Sequence, residues 1–257
     1  MKRRRNNRNG PTGGPRGYTA RFDESLCEDF LAEYMRDFAA LAPDLLAPEL
    51  QAYNTRRLND LWKMSCERAD AMTPLPFWGI VWPGSRALAR YILDHPDEFR
   101  GLRTLDVATG SGLAAVAAAK VGATVTGIDL DPMGPKLAER TAQANDVAAR
   151  CEWLVGDVLK LSDDFLNGFD VLIAGDVFYE EQFASDALQL VRRSLAFNQR
   201  NLLADPGRTH RPQANDKNAD GLDISIVAEY RVPVYVDIEG IRERSTTLLS
   251  LSRAGHS

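Results

Sequence analysis

A glycine-containing loop between two short apolar runs is the part of the sequence best suited to binding a ligand. The run TLDV at 104–107 is followed by ATGSG at 108–112, by an alanine-rich segment and by the β-branched run TVTGID at 124–129. This order predicts a strand, a tight turn, a buried helix and a second strand. Gly110 and Gly112 would let the backbone approach a ligand that a Cβ atom would repel.

Two carboxylates lie near the ends of these predicted strands. Asp106 closes the first strand and Asp129 closes the second. Ligands of α/β sheets bind outside the carboxyl ends of the strands, where an acid can accept both hydroxyls of a ribose. With Asp129, the spacing Gly110-x-Gly112-x-x-Ala115 satisfies a loose dinucleotide fingerprint. An acid followed by a small-residue loop also suits S-adenosylmethionine (SAM), so the loop alone leaves both cofactors open.

Composition and charge restrict the class of protein. The chain has 257 residues, of which 44% are hydrophobic, enough for one α/β domain with an extension. No apolar run reaches the ~20 residues of a membrane-spanning helix. The cysteines Cys27, Cys66 and Cys151 are far apart, and the three histidines have no ligand spacing. We therefore expect no metal site and a reducing, cytoplasmic location.

The net charge of −5 is unevenly distributed along the chain. Residues 1–21 contain seven Lys or Arg and no acid, so the remainder, with 24 basic and 36 acidic residues, carries −12. An acidic body argues against nucleic acid as the main substrate. The basic head has almost no apolar residue, and we expect a disordered tail at 1–21.

The N-terminal region that follows has apolar residues at helical spacing. The pattern predicts two helices, over 23–41 and over about 49–72, which would form a helical extension at 22–73. The aromatic and proline-rich start of the next segment opens a domain at 74–257. In it, Trp82 and Gly84 stand at the predicted start of a helix, whose amides would point at an anion such as a carboxylate.

Three further strands complete a parallel sheet. The segment CEWLVGDV predicts the third strand, with Asp157 directly at its end. The segment FDVLIAGDVFY predicts a buried, central fourth strand that ends at Asp176, and Tyr179 follows three residues later. The run at 200–208 predicts a fifth strand, and the polar residues 210–221 predict a loop.

The last two extended runs, 226–236 and 241–253, predict an antiparallel hairpin with a turn at 237–240. The fold class is therefore α/β, a Rossmann-like seven-stranded methyltransferase sheet that is mostly parallel, with a C-terminal antiparallel hairpin and an N-terminal helical extension. A nicotinamide-dependent dehydrogenase of this size would need a parallel sixth strand, which is not visible. The order of strands therefore favours SAM as the cofactor.

Four motifs together carry a resemblance to a known family. WGIVWPGSRALARYILDHP, LDVATGSG, GDVFYEE and ADPGR resemble the protein-lysine methyltransferases that act on the electron transfer flavoprotein β subunit, within the wider Asp-x-Phe-Tyr-type lysine methyltransferases. The similarity covers about 75–210 and extends to bacterial proteins named for methylation of a ribosomal protein. Ala108 departs from the glycine of many members; alanine is tolerated there if its φ is negative, and we expect cofactor binding to be retained.

We expect the residues that bind SAM to surround the carboxyl edge of the sheet: Trp82, Gly84, Asp106, Ala108, Gly110, Gly112, Asp129 and Asp157. Loop 108–112 would hold the methionine part, Asp129 the ribose and Asp157 the adenine amine. Asp106 would orient the loop or meet the methionine ammonium.

Asp176 and Tyr179 are the expected catalytic residues, because a lysine ammonium with a pKa near 10.4 must be oriented and lose a proton before it attacks. Arg208 would pair either with an acid of the substrate or with an internal carboxylate. The expected activity is lysine methylation of a protein by a monomer that needs neither membrane nor nucleic acid. A small-amine methyltransferase, a binding protein without turnover and a nicotinamide-dependent oxidoreductase are the alternatives.

Overall fold

The computed structural model describes residues 24–213 and 221–254. The predicted basic tail at 1–21 and most of the predicted loop at 210–221 lie outside this part of the chain. Among the helices of the described ranges, none has both the length and the apolar character needed to cross a membrane.

The N-terminal region contains the predicted helices in shortened form, with a β-hairpin between them. Its elements in order are α1 (Glu24–Glu33), a π-helical turn (Tyr34–Phe38), β1 (Ala39–Pro43), β2 (Gln51–Thr55) and α2 (Leu58–Ala69). The helix predicted over 49–72 is therefore wrong for its first part. Strand β2 instead pairs antiparallel with β1, from Ala39 opposite Thr55 to Pro43 opposite Gln51. The Asn145 amide donates to the Gln51 carbonyl and its oxygen accepts from the Gln51 amide, which closes the edge of β2.

The remaining elements follow the predicted alternation of strands and helices. The helices are α3 (Pro83–Asp94), α4 (Leu113–Lys120), α5 (Met133–Ala144), α6 (Asp163–Leu166), α7 (Glu181–Ser194) and α8 (Val236–Glu239). The strands are β3 (Arg103–Val107), β4 (Thr124–Asp129), β5 (Cys151–Val155), β6 (Val171–Gly175), β7 (Arg200–Asp205), β8 (Leu222–Pro233) and β9 (Glu243–Arg253). The turn predicted at 237–240 is the short helix α8 with Gly240 after it.

The seven strands β3 to β9 form one sheet in the order β5-β4-β3-β6-β7-β9-β8. The first five strands run parallel, and β9 is antiparallel to both β7 and β8. This confirms the predicted seven-stranded sheet with its antiparallel hairpin. The chain moves outward from β3 in one direction and from β6 in the other, so the crevice between these neighbours at their carboxyl ends is where a ligand should bind.

Alternate residues of the central strands pack on opposite faces of the sheet. Val171 and Ile173 belong to a core that includes α3 and α4, whereas Leu172 and Ala174 belong to a second core that includes α7. Helix α4 is buried at every position from Leu113 to Ala119, as its lack of a polar face predicts. These two layers fix the carboxyl edge on which the candidate site stands.

Candidate functional site

The loop between β3 and α4 adopts a left-handed backbone at three positions. The φ values are +54° at Ala108, +52° at Gly110 and +80° at Gly112. The condition that φ at Ala108 be negative is therefore not met, and the residue is held in a strained conformation. A Cβ built on Gly112 would lie 2.6 Å from the Cβ of Ala138 in α5. Glycine is thus required there by both conformation and packing.

Asp129, at the end of β4, holds this loop in place. Its Oδ2 accepts a hydrogen bond from the Gly110 amide at 2.9 Å, and its Oδ1 accepts one from the Asp131 amide at 3.0 Å. Burial raises the pKa of the Asp129 carboxyl, which the two amide contacts oppose. The Leu130 amide also donates to this carboxylate, whose about four lone-pair sites still leave room for a hydroxyl donor from a ligand.

Asp106 is buried beneath the same loop and has internal partners. Its Oδ2 accepts from the Thr109 hydroxyl at 2.6 Å, and the Ala115 amide of α4 also donates to it. Burial raises the pKa of Asp106 to about 7. Of its two predicted roles, these contacts favour orientation of the loop.

Asp157 lies just beyond β5, the strand that neighbours β4. Its Oδ1 accepts from the Leu159 amide at 3.0 Å, and its Oδ2 pairs with the Lys160 Nζ at 3.1 Å. Because β4 and β5 are paired and parallel, Asp129 and Asp157 stand at neighbouring strand ends. This is the arrangement predicted from sequence.

The start of α3 meets the end of β6 through Gly84. The Gly84 amide donates to Oδ2 of Asp176 at 2.5 Å. A Cβ at Gly84 would lie 2.5 Å from both that oxygen and the Ala204 carbonyl oxygen, so only glycine permits this approach. The anion predicted for the start of this helix is therefore an internal carboxylate.

Asp176 is buried and has a left-handed backbone with a φ of +57°. Its Oδ1 accepts from the Arg208 Nη2 at 3.3 Å. Of the two roles expected for Arg208, this contact corresponds to pairing with an internal carboxylate. Burial raises the pKa of Asp176 to about 7, although Arg208 and the Gly84 amide oppose that shift. Arg208 also donates to Glu239 at 3.0 Å. Sequence reasoning missed Glu239, since nothing local marks a turn as part of the site.

Three aromatic side chains from the segments next to Gly84 and Asp176 contact one another. The Phe77 ring lies 5.7 Å from the Trp82 ring and 5.6 Å from the Tyr179 ring, centre to centre. We call Phe77, Trp82 and Tyr179 the aromatic rim. The Arg208 guanidinium lies 5.7 Å from the Trp82 ring, which joins the rim to Asp176. Phe77 is a second residue that sequence reasoning missed.

Helix α1 and the π-helical turn after it approach the glycine loop through Trp78. A Cβ built on Gly110 would find the Trp78 Cα at 4.0 Å. The Trp78 ring packs edge-on against Tyr34 and Phe30, and the Tyr34 hydroxyl donates to the Gly79 carbonyl at 2.8 Å. Helix α1 and the turn after it therefore hold the segment Phe77–Gly79 beside the loop.

Comparison with known proteins identifies the family. A model described as "Methyltransferase domain" matches residues 98–229, and a relative 34% identical to this chain is covered over 71% of its length. The chain therefore belongs to the SAM-dependent methyltransferases with a seven-stranded, Rossmann-like sheet, and SAM is their methyl donor.

Two relatives with the same name are similar to this chain. The electron transfer flavoprotein β subunit lysine methyltransferase of Homo sapiens is 35% identical over 166 residues, which cover 63% of this chain and 61% of the relative. The Rattus norvegicus protein of that name is 34% identical over 197 residues, or 73% of this chain and 71% of the relative. The chain thus spans about three-fifths to seven-tenths of these two relatives.

A more distant similarity comes from a solved structure. Magnesium protoporphyrin IX methyltransferase from Synechocystis PCC 6803 with bound SAH has a TM-score of 0.48 and 18% identity, covering 66% of this chain and 81% of that one. This distance is too large to bear on the substrate.

Proposed function

We propose that this protein transfers a methyl group from SAM to the side-chain nitrogen of a lysine in a protein substrate. The observation that carries the proposal is a buried carboxylate, Asp176, paired with Arg208, whose guanidinium lies 5.7 Å from the Trp82 ring of the aromatic rim. The names of the relatives from Homo sapiens and Rattus norvegicus support the same activity. The β subunit of the electron transfer flavoprotein is therefore the first substrate to test.

The residues at the glycine loop fit the cofactor. A Cβ at Gly110 would have no neighbour nearer than 4.0 Å, so the backbone there faces open space, and Asp129 keeps free lone pairs beside it. We assign the methionine part to loop 108–112, the ribose to Asp129 and the adenine amine to Asp157. Trp82 and Gly84 would close the methionine end, Gly84 through its contact with Asp176. Bound SAM supplies a methyl group on a positively charged sulfur.

Asp176 and the aromatic rim are suited to a cationic amine. The carboxylate attracts and orients the lysine ammonium, and the aromatic faces stabilise its charge. With a pKa of about 7, Asp176 is a better proton acceptor than an ordinary carboxylate, although the lysine pKa of about 10.4 is still higher. Burial raises the pKa of the Tyr179 phenol to about 12, so Tyr179 stays protonated and acts through its hydroxyl and its ring.

The exposure of the rim favours a macromolecular substrate over a small amine. Phe77 is 39% exposed and Tyr179 is 38% exposed. The N-terminal region packs against Trp78 beside the glycine loop, while Phe77 and Tyr179 stay partly exposed. A lysine side chain can enter such a site while its protein remains outside. We further propose that the enzyme acts as a monomer in a reducing cytoplasm. Its substrate is not a nucleic acid in this proposal, because the negatively charged body of the chain would repel the phosphate backbone.

The test is methyl transfer from labelled SAM to the purified β subunit of the electron transfer flavoprotein, and in parallel to a cell lysate, followed by mass spectrometry of the labelled lysines. Asp176→Asn is the matched variant, because Asn adopts a φ of +57° at a lower cost than Ala. We expect the variant to lose transfer and to bind SAM within a few-fold of the wild type. Full activity of the variant, or the absence of any methylated lysine with the wild type, would contradict the proposal.

A further inference from the structure

Arg208 bridges two buried carboxylates that come from different parts of the chain. Its Nη2 lies 3.3 Å from Oδ1 of Asp176, at the end of β6, and 3.0 Å from Oε1 of Glu239, the last residue of α8. The Glu239 side chain is 5% exposed, and Arg244 at the start of β9 pairs with its other oxygen at 2.7 Å. The turn between β8 and β9 is thereby linked to the candidate catalytic carboxylate.

The two contacts of Arg208 are unequal. The contact with Glu239 is the shorter, and among the described residues the buried Nε of Arg208 has no hydrogen-bond partner. The turn that presents Arg208 is fixed by Asp205, whose Oδ1 accepts from the Arg208 amide at 2.7 Å. If the ion pair between Arg208 and Asp176 breaks, Arg208 therefore loses its longer contact, and Glu239 still neutralises the charge of Arg208.

We propose that Glu239 is a positioning residue that retains Arg208 when a substrate ammonium takes its place at Oδ1 of Asp176. Arg244 sets how strongly Glu239 holds Arg208, because both arginines share that carboxylate. The identity of the incoming group rests on the proposed lysine methylation, whereas the link between the four side chains does not.

The direction of each effect follows from the charges that face these groups. Asp176 faces Arg208, Asp205 at the end of β7 and the Gly84 amide of α3, while Glu239 faces Arg208 and Arg244. Without the Glu239 charge, Arg208 would pair with Asp176 only. The stronger pairing favours the ionised carboxylate and lowers the pKa of Asp176. Loss of the Arg244 charge strengthens the hold of Glu239 on Arg208, which raises that pKa.

The experiment compares Glu239→Gln and Arg244→Gln with the control Glu243→Gln, which removes an exposed charge from the same hairpin. Carboxyl ¹³C NMR of the free protein reads the pKa of Asp176, and Asp176→Asn assigns its signal. We expect shifts of roughly half a pH unit or more, downward for Glu239→Gln and upward for Arg244→Gln. The control should shift by much less.

Kinetics with the methylated protein substrate test the positioning role. Glu239→Gln should raise KM roughly three-fold or more, about 0.7 kcal/mol, with the Kd for SAM within two-fold of wild type, because only the amine competes with Arg208. Shifts of the same sign, no shift, or an unchanged KM would overturn the proposal. If Glu239→Gln fails to fold, Arg244→Gln decides: an upward shift supports the link and any other result refutes it. A wild type that methylates no lysine refutes the proposed function, while the NMR shifts still decide the link.

Discussion

The substitution Gly84→Ala tests the close approach of α3 to the sheet. The new Cβ would lie 2.5 Å from the Ala204 carbonyl oxygen, 2.5 Å from Oδ2 of Asp176 and 2.7 Å from the Asp176 amide nitrogen. Two of these three atoms are backbone, so no side-chain rotation relieves the clash. The start of α3 must move away from β6 and β7, and the hydrogen bond from Gly84 to Asp176 must lengthen or break.

The size of the effect follows from three contributions. Loss of a hydrogen bond to a charged group costs about 1.5–3 kcal/mol, and overpacking of a close contact costs about 1–3 kcal/mol. The better helix propensity of alanine offsets about 1 kcal/mol. The expected net loss in the free energy of unfolding is therefore about 3 kcal/mol, which lowers Tm by roughly 6–12 °C in a chain of this size.

Thermal unfolding and urea titration measure this loss. The matched control is Gly156→Ala, whose Cβ would meet the nearest atom, Cδ1 of Ile128, at 3.6 Å, an ordinary van der Waals distance. The control should stay within about 1 kcal/mol of wild type. If Gly84→Ala is as stable as Gly156→Ala, the start of α3 does not press on the strand ends as described, and the placement of Asp176 beside it is refuted.

Three more predictions concern the same edge of the sheet. Burial raises the pKa of Asp106 and Asp176 to about 7, so between pH 5 and pH 7 the folded state binds more protons than the unfolded state. Urea titrations should therefore show the free energy of unfolding falling over this range by roughly 2 kcal/mol per group. Asp176→Asn should make this fall smaller, and an unchanged fall in the variant would contradict the raised pKa of Asp176. Ala108→Gly relieves a φ of +54° and should raise stability by up to about 1 kcal/mol, so a lower Tm would count against the strain. Tyr34→Phe leaves the Gly79 carbonyl without its donor and should lower the free energy of unfolding by about 1–2 kcal/mol. It should also weaken SAM binding measured by calorimetry, and an unchanged affinity would refute this prediction.

The central sheet was predictable because its strands have strong local patterns. The apolar run of β6, the β-branched run of β4 and the glycine after α4 each indicate an element without reference to distant residues. The N-terminal hairpin was not predictable in this way. Strand β2 is closed at its edge by the side chain of Asn145, which lies 94 residues further along the chain. A helical spacing of apolar residues was therefore overridden by a tertiary contact.

The candidate site was predictable where its residues end parallel strands. Asp129 and Asp176 were placed by strand order alone, because carboxyl ends of parallel strands meet at one edge. Glu239 was missed, yet topology contains the information. Strand β9 runs antiparallel to β7, with Asp205 opposite Thr247. The turn before β9 must therefore lie beyond the carboxyl end of β7, and the turn that carries Arg208 lies at the same end.

The left-handed residues at the ends of β3 and β6 follow from position and not from residue type. These neighbouring strands flank the crevice, and each is followed by a residue with a φ near +55°, Ala108 after β3 and Asp176 after β6. Each chain must turn sharply there to clear the edge where a ligand binds. Propensity alone assigns such a conformation to glycine, and a side chain in it costs about 1–2 kcal/mol. For Asp176 that cost is offset by its hydrogen bonds to Gly84 and Arg208, so its carboxylate is held in the crevice by the same backbone turn that opens it.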